Sequence, residues 1–242
     1  MRTIGPFIVL SAAFLPFAVS SYAQDYQPSQ MDEADSVIMV TAAGQTFRAR
    51  GGELRAAQRA FRKFRERYAP DAELVLQLHS PTMTAADLRD LDLWLVSKDE
   101  RIPLELDQEL RFRLPELKND DWEITTHRKG LRVQVSPWVF SPGSEMGDWR
   151  LGDLKLQWRV AISVLRQSLN VAQSTMFGLA GGCENKRTAV WQEVPNKIQN
   201  GMILEDGRQQ SLEVQDRSFR LPSYVDDFSN EARVRLVAAE PR

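Results

Sequence analysis

Two stretches of the chain share one pattern, and this repetition limits the folds that the chain can adopt. The first covers residues 93–115 and the second covers residues 201–222. In each, a short apolar block is followed by Leu-Glu-Leu or Leu-Glu-Val and then by Phe-Arg-Leu-Pro. Apolar blocks between charged turns are typical of short strands, and proline suits the last position because it lacks the donor that a continuing ladder needs. The pattern predicts a duplicated β-meander.

The remaining periodicities predict a fold of the α+β class that is mainly β, with two related meander or sandwich-like modules. Apolar residues spaced three and four apart from Leu54 to Tyr68 predict a basic amphipathic helix that ends before Pro70. Alternation predicts a strand over 154–160, and the prolines and glycines of 136–148 predict a loop. The expected organisation is a signal peptide (1–23), a flexible linker (24–35), an N-terminal α/β segment (36–80), a first β module (85–160), a connecting helix (161–182) and a second β module (186–242).

The first residues have the order of a secretory signal peptide. Arg2 gives a positive start, residues 4–19 are apolar, and Ser21-Tyr22-Ala23 has the small-x-Ala pattern. The apolar run is shorter than the ~20 residues of a membrane-spanning helix. We therefore expect cleavage near Ala23, a periplasmic or secreted location, and no transmembrane segment in the mature chain.

Composition excludes several kinds of partner and cofactor. Cys183 is the single cysteine, so no intramolecular disulfide can form, and the thiol is either buried or pairs with another chain. The formal charge of −2 gives no overall attraction to nucleic acid, which is not an expected partner. His79 and His127 are the only histidines and lack the spacing of metal ligands, so we predict neither a metal nor a cofactor.

The segment 48–67 is strongly basic, with eight basic residues against Glu53 and Glu66. One explanation is an anionic partner such as lipid headgroups or a polyanionic glycan. The other is internal compensation by the segment 85–123, which has twelve acidic and six basic residues. The candidate binding residues on the predicted helix are Arg55, Arg59, Arg62 and Lys63.

Two tryptophans lie at the ends of the predicted loop at 136–148, Trp138 near its start and Trp149 directly after it. Trp138 and Trp149 are therefore expected to be exposed and able to stack on a sugar or a partner. Trp94 and Trp158 lie in alternating segments and are expected in the core.

Catalytic motifs are absent from the sequence: it has no Gly-x-Ser-x-Gly elbow, no His-Glu-x-x-His helix, no phosphate loop and no dinucleotide fingerprint. A Ser-His-Asp triad stays open, because its members need not be adjacent. Glycoside hydrolysis needs only two carboxylates across a cleft. The weak candidates for that role are Asp92, Glu105, Asp120 and Asp121. The oxygens at 119–123 lack the spacing of a calcium loop and predict a solvated turn.

The chain resembles a group of uncharacterised secreted proteobacterial proteins from about residue 91 onward. The resemblance lies in the two meander patterns and in three further segments: Arg150-Leu151-Gly152-Asp153-Leu154, Gly181-Gly182-Cys183 and Asn230-Glu231-Ala232-Arg233-Val234. It implies export but no known activity or site.

We therefore expect a non-catalytic periplasmic binding or scaffolding protein of unknown ligand, with an envelope protein or glycan as its partner. One alternative is an envelope glycan hydrolase that uses paired carboxylates. The other is a protein that binds anionic lipid or another polyanion through the basic helix.

Overall fold

A computed structural model describes most of the chain after residue 38. The predicted signal peptide and linker, the turn at Lys129-Gly130, and Cys183 lie outside the described residues. The described residues are 39–41, 47–48, 50–80, 83–128, 134–168, 189–194, 196–222 and 227–239.

The elements are short strands and three helices in the described part, which confirms an α+β fold that is mainly β. The helices are α1 (Gly51–Tyr68), α2 (Ala85–Arg89) and α3 (Leu151–Ser168). The strands are β1 (Met39–Thr41), β2 (Phe47–Arg48), β3 (Glu73–His79), β4 (Leu93–Val96), β5 (Arg101–Leu104), β6 (Arg111–Phe112), β7 (Glu123–Thr126), β8 (Gln134–Phe140), β9 (Asp148–Arg150), β10 (Ala189–Glu193), β11 (Ile198–Glu205), β12 (Arg208–Ser211), β13 (Glu213–Gln215), β14 (Ser218–Pro222) and β15 (Arg233–Ala238).

The strands form four small sheets. Their orders are β2-β8-β3-β6, β5-β4-β7, β1-β10-β14-β13 and β12-β11-β15-β9. All pairings between these strands are antiparallel except the parallel pair β1–β10. Residues Val37–Arg242 form one compact unit.

Helix α1 follows the predicted apolar stripe. Leu54, Ala57 and Ala60 are buried on it, and the small alanines allow close packing against α3. The first helical residues of α3 meet the end of α1, because a Cβ on Gly152 would overlap the Tyr68 carbonyl oxygen. Val160, further along α3, packs in the same core as Leu54. The two helices therefore run antiparallel.

The predicted strand over 154–160 is wrong, because α3 already begins at Leu151. Leu154, Leu156, Trp158 and Val160 are at most 5% exposed, so α3 is buried on nearly all sides. Asp153 and Gln157 are also buried, so polar side chains do not mark a single solvent face of α3, and their alternation with apolar residues resembles a strand.

The predicted loop at 136–148 is partly wrong, because β8 continues to Phe140 and contains Pro137. The Val139 amide points away from β3 and donates to Gln157 Oε1 at 3.1 Å. Amide directions alternate along a strand, so residues 137 and 139, which are two apart, point to the same side. The Pro137 nitrogen therefore faces the side of β8 on which β2 pairs only as far as Val135. The strand therefore loses no ladder hydrogen bond at this proline.

The surroundings of β4 and β11 follow the same plan. β4 lies between its hairpin partner β5 and the later strand β7, and β11 lies between its hairpin partner β12 and the later strand β15. Leu95 and Ile203 occupy corresponding positions, and both are fully buried. Their cross-strand partners Ile124 and Val234 are also buried.

Candidate functional site

A cleft of about 760 Å³ opens between the chain that leaves β5 and strand β6. One wall is formed by residues 105–107 and the other by residues 111–113, and Glu73, Phe140 and Glu145 also line it. We call this the hairpin cleft. Its volume lies within the range of ~300–1,000 Å³ that is common for ligand sites.

The turn at the closed end of the hairpin cleft is held by Asp107. Its amide donates to the Arg111 carbonyl oxygen at 2.9 Å, and its carboxylate accepts from the Arg111 amide at 2.8 Å and from Arg111 Nε at 2.8 Å. Leu110 has a φ of 62°, and its side chain is buried in the core. Partial burial raises the pKa of Asp107, but the hydrogen bonds from Arg111 outweigh this effect and hold the pKa below its ordinary value.

The charges around the cleft are only partly compensated. Arg113 is paired with Glu73, and Arg111 is paired with Asp107 and Glu109. Glu105 and Glu145 are exposed and form no ion pair with any described residue. The rim therefore carries two uncompensated carboxylates.

The floor of the cleft is apolar. Val75, Ile102, Leu104 and Phe140 line it, and the Arg111 guanidinium lies 5.4 Å from the centre of the Phe140 ring. An apolar floor with a charged rim can bury part of a ligand and fix its orientation.

The four predicted carboxylates do not meet in this cleft, since only Glu105 lines it. The strand register brings Asp92 to the same end of the β4–β5 hairpin as Glu105, one residue beyond the pair Leu93–Leu104. The Asp92 carboxylate lies 3.7 Å from Nδ1 of His127. Asp120 is paired with Arg55 at 2.9 Å. The Asp121 amide faces Asn119 Oδ1 at 3.4 Å, in the solvated turn that the sequence predicts.

The prediction that Trp138 and Trp149 are exposed is wrong. Trp138 is 6% exposed and Trp149 is fully buried. Their rings stack at a centroid distance of 6.4 Å, and Trp149 stacks in turn on Phe219 at 6.0 Å. Each lies in a strand, β8 or β9, whose inner face covers the core, so the prolines and glycines between them do not expose them. Trp158 is buried as expected.

The positive charge of helix α1 is partly compensated by the acidic segment 85–123, as the explanation by internal compensation requires. Arg55 pairs with Asp120, and Arg62 pairs with Glu116 at 2.7 Å. Gln58, which lies between the two arginines on α1, holds the chain on both sides of Glu116. Its Nε2 donates to the Pro115 carbonyl, and its Oε1 accepts from the Leu117 amide.

The other two candidates on α1 point elsewhere. Arg59 and Lys63 are exposed and have no ion pair within the described ranges. Lys63 Nζ lies 5.2 Å from the centre of the Phe64 ring, and Arg67 lies over Tyr68. From α3, Arg159 donates to the Tyr68 hydroxyl at 3.1 Å. We call Arg59, Lys63, Arg67 and Arg159 the basic helix surface.

His79 and Ser136 form a close pair, with His79 Nε2 and Ser136 Oγ 2.6 Å apart. Burial lowers the pKa of His79 below its ordinary value, so the ring is neutral at pH 7. No hydrogen bond joins His79 to a carboxylate in the part of the chain that the structure describes, so the third member of a triad is not assembled there.

Among the described residues, no three or more His, Cys, Asp or Glu side chains are grouped as a metal would require. The described helices also include none with the length and apolarity needed to cross a membrane.

Most of the hairpin cleft was not predicted from the sequence, including Asp107, Arg111, Phe140 and Glu145. The available signal was the single-residue gap needed to align the two repeats, which falls between the Leu-Glu-Leu block and Phe112. No family model, curated protein or solved structure matches the chain.

Proposed function

We propose that the chain is a non-catalytic binding or scaffolding protein of the cell envelope and that its ligand occupies the hairpin cleft. The observation that carries this proposal is the cleft of about 760 Å³ with an apolar floor and with Glu105 and Glu145 on its rim. The floor provides burial, and the carboxylates select the charge of the ligand. Binding requires no reacting pair of carboxylates, and of the four predicted ones only Glu105 lines the cleft.

Site-specific photocrosslinking in intact cells tests this function. A photoreactive benzoylphenylalanine replaces Pro103, which is exposed and lines the cleft, or Gln209, which is exposed on the corresponding hairpin β11–β12. We expect an adduct of defined mass from position 103 only, and its loss when Ile102→Lys places a charge on the cleft floor. Equal labelling at both positions, or no adduct at either, contradicts the proposal.

The hydrolase alternative makes a different prediction. It requires pure protein to release soluble fragments from envelope polymer, and it requires Glu105→Gln to abolish the release. We expect no fragments from isolated cell-wall sacculi with either protein. If the wild-type chain releases fragments and Glu105→Gln abolishes this release, hydrolysis replaces binding as the proposed function.

We also propose that the two halves of the chain are related modules and that the relation extends to the helices. Arg50-Gly51-Gly52-Glu53-Leu54-Arg55 corresponds to Arg150-Leu151-Gly152-Asp153-Leu154-Lys155. In both segments an arginine precedes an 18-residue helix. Strand pairing supports the correspondence, because Arg50 bridges to Glu123 and Arg150 pairs with Arg233. Glu123 and Arg233 are themselves at equivalent positions beside β4 and β11.

The basic helix surface supports a second candidate function, the binding of an anionic lipid or glycan. Arg55 and Arg62 are engaged by acidic residues, whereas Arg59 and Lys63 are exposed and have no ion pair within the described residues. Cations beside aromatic rings are suited to anionic headgroups at a membrane interface. Glu66 is also exposed on this part of α1 and reduces the local charge.

Vesicle co-sedimentation tests the second candidate. We expect binding to vesicles that contain anionic lipid, loss of binding for Arg59→Glu/Lys63→Glu, and release by salt because exposed charges are screened. Arg62→Glu is the matched control, since Arg62 is already paired with Glu116. Equal binding to neutral vesicles would exclude an electrostatic origin.

Export to the envelope rests on the leader pattern at residues 1–23. The test is the mass and the N-terminal sequence of the chain recovered from the periplasmic or extracellular fraction. We expect an N-terminus at Gln24. A full-length chain confined to the cytoplasmic fraction would contradict this proposal.

A further inference from the structure

In the equivalent hairpin of the second half of the chain, the two strands are paired directly with each other. β13 pairs with β14 through Glu213–Arg220, Val214–Phe219 and Gln215–Ser218. The side chains of the first pair also meet, with Arg220 Nη1 2.8 Å from Glu213 Oε2. In the aligned repeats, Glu105 corresponds to Glu213 and Arg113 to Arg220. The first half therefore contains, in Glu105 and Arg113, the same charged pair that joins the two strands of the hairpin in the second half.

In the first half these residues are separated. Asp107 and Arg111 close the turn, but Glu105 and Arg113 then line opposite walls of the cleft. Arg113 is paired with Glu73 of β3 instead of with Glu105. β6 consequently ends its sheet, whereas β14 is covered by β13.

The edge of β6 has free backbone groups at Arg113. Leu78 donates to the Leu110 carbonyl, and Leu76 pairs with Phe112, so the backbone groups of residues 110 and 112 point toward β3. Since these directions alternate, the backbone groups of Arg111 and Arg113 point into the cleft. Asp107 satisfies those of Arg111. Those of Arg113 have no backbone partner within the described residues.

We propose that the hairpin cleft takes an extended peptide segment of a partner protein, which adds to the edge of β6 as β13 adds to β14. This inference rests on the proposed binding function and names the class of ligand. Exposed strand edges are templates for an added strand. The peptide residue that pairs with Arg113 corresponds to Glu213, and the next corresponds to Val214, which packs in the core beside Phe219. Leu106, the counterpart of Val214 in the aligned repeats, packs against the core that contains Phe112, and an apolar peptide residue suits the position beside it.

The rim charges define the rest of the peptide. Glu105 and Glu145 are uncompensated within the described residues, while Glu73 and Asp107 are already paired with arginines. Lysine or arginine on both sides of the apolar residue would complement them, because Glu73 and Asp107 already neutralise Arg113 and Arg111 beside these positions. The ligand is therefore an extended basic–apolar–basic segment.

Fluorescence anisotropy with the full chain tests the inference. The probe is a fluorescein-labelled peptide of sequence Ser-Leu-Lys-Val-Lys-Ser, patterned on residues 211–216 with basic residues beside the valine. Its acidic counterpart, with the natural sequence of residues 211–216, should bind about tenfold more weakly. Methylation of the amide of the first lysine, which faces Arg113, should weaken binding by at least about tenfold, whereas methylation of the valine amide should have a smaller effect.

Protein variants locate the site. Glu105→Lys/Glu145→Lys should weaken binding of the basic peptide by about tenfold. Glu213→Lys, at the equivalent position in the second half, is the matched control and should leave binding unchanged. Equal effects of the two variants, or equal binding of both methylated peptides, would overturn the inference.

Two further outcomes would also overturn it. The first is a disulfide between the two introduced cysteines of Glu105→Cys/Arg113→Cys, made in a Cys183→Ser background, that forms without added oxidant. Such a disulfide would mean that the two walls of the cleft meet, which leaves no room for a peptide. If the full chain forms concentration-dependent dimers and the Glu105→Lys/Glu145→Lys variant abolishes them, the edge of β6 binds a second copy of the chain.

The peptide assay and the crosslinking experiment separate the two proposals. If the peptide does not bind but crosslinking at position 103 gives an adduct, the binding function stands and only the peptide class is wrong. If the peptide does not bind and no adduct forms, the binding function is also wrong.

Discussion

Asp153, in the first turn of α3, accepts hydrogen bonds from both the amide and the hydroxyl of Ser141, at 3.0 and 2.6 Å. Ser144 Oγ donates to the same carboxylate at 2.7 Å. Asp153 is fully buried, so these bonds tie the end of β8 to the start of α3 without competition from water. The carboxylate also lies at the positive end of the helix dipole.

Asp153→Ala should reduce the free energy of unfolding by about 3 kcal/mol, because it leaves buried donors without an acceptor. Chemical denaturation at pH 7 measures the change. Ser144→Ala removes only one of the bonds and should cost about 1 kcal/mol. Similar losses for the two variants would mean that Asp153 contributes no more than a single hydrogen bond.

Gly52 and Gly152 occupy corresponding positions in α1 and α3 but have opposite surroundings. A Cβ on Gly152 would overlap the Tyr68 carbonyl oxygen and lie 3.0 Å from the Cβ of Asn230, whereas a Cβ on Gly52 meets nothing within 4 Å. Gly52→Ala should therefore raise stability by about 0.5 kcal/mol, and Gly152→Ala should lower it by more than about 2 kcal/mol. Thermal unfolding of the two variants distinguishes the outcomes; equal shifts would contradict the antiparallel contact of the helices.

The buried pair His79–Ser136 predicts a pH dependence of stability. Burial lowers the pKa of His79 in the folded chain below its ordinary value of 6.5. The unfolded chain therefore binds more protons in this range, and stability is fully present above pH 6.5 and falls as the pH drops below it. Urea unfolding between pH 5 and pH 8 should show this fall. His79→Gln should flatten it, while the control His127→Gln, which leaves His79 in place, should not.

The two ion pairs that α1 forms with the acidic segment should contribute little to stability. The Arg62 and Glu116 side chains are 52% and 73% exposed. Arg62→Ala should change the free energy of unfolding by less than about 1 kcal/mol. Leu54→Ala, on the buried side of the same helix, should cost about 2–5 kcal/mol. A loss of several kcal/mol for Arg62→Ala would show that the acidic segment is needed to hold α1 in place.

Local patterns predicted the elements that have one buried and one solvated face. The stripe from Leu54 to Tyr68 forms α1, and the apolar blocks at 93–96 and 201–204 lie in β4 and β11. Such elements alternate between core and water with the period of their own backbone, so sequence alone reveals them. The match between residues 50–55 and 150–155 was also present in the sequence, but the strand expected at 154–160 obscured it.

The helical state of residues 151–160 was decided by tertiary structure. Asp153 and Gln157 are buried and accept hydrogen bonds from Ser141 and Val139, so the polar residues of this segment alternate with apolar ones and do not mark one solvent face. The positions of Trp138 and Trp149 were decided in the same way, since sheets β2-β8-β3-β6 and β12-β11-β15-β9 direct both indoles inward.

The sequence by itself determined the two repeated sequence patterns, the basic helix and the absence of familiar catalytic motifs. The three-stranded meander predicted for each repeat is wrong, because β5 and β6 lie in different sheets, as do β12 and β13. Only the tertiary structure decided that Glu105 and Arg113 separate while Glu213 and Arg220 pair. The physical reason is competition for partners. Arg113 lies within reach of Glu73 on β3, so the same residue types that close one hairpin leave the other open.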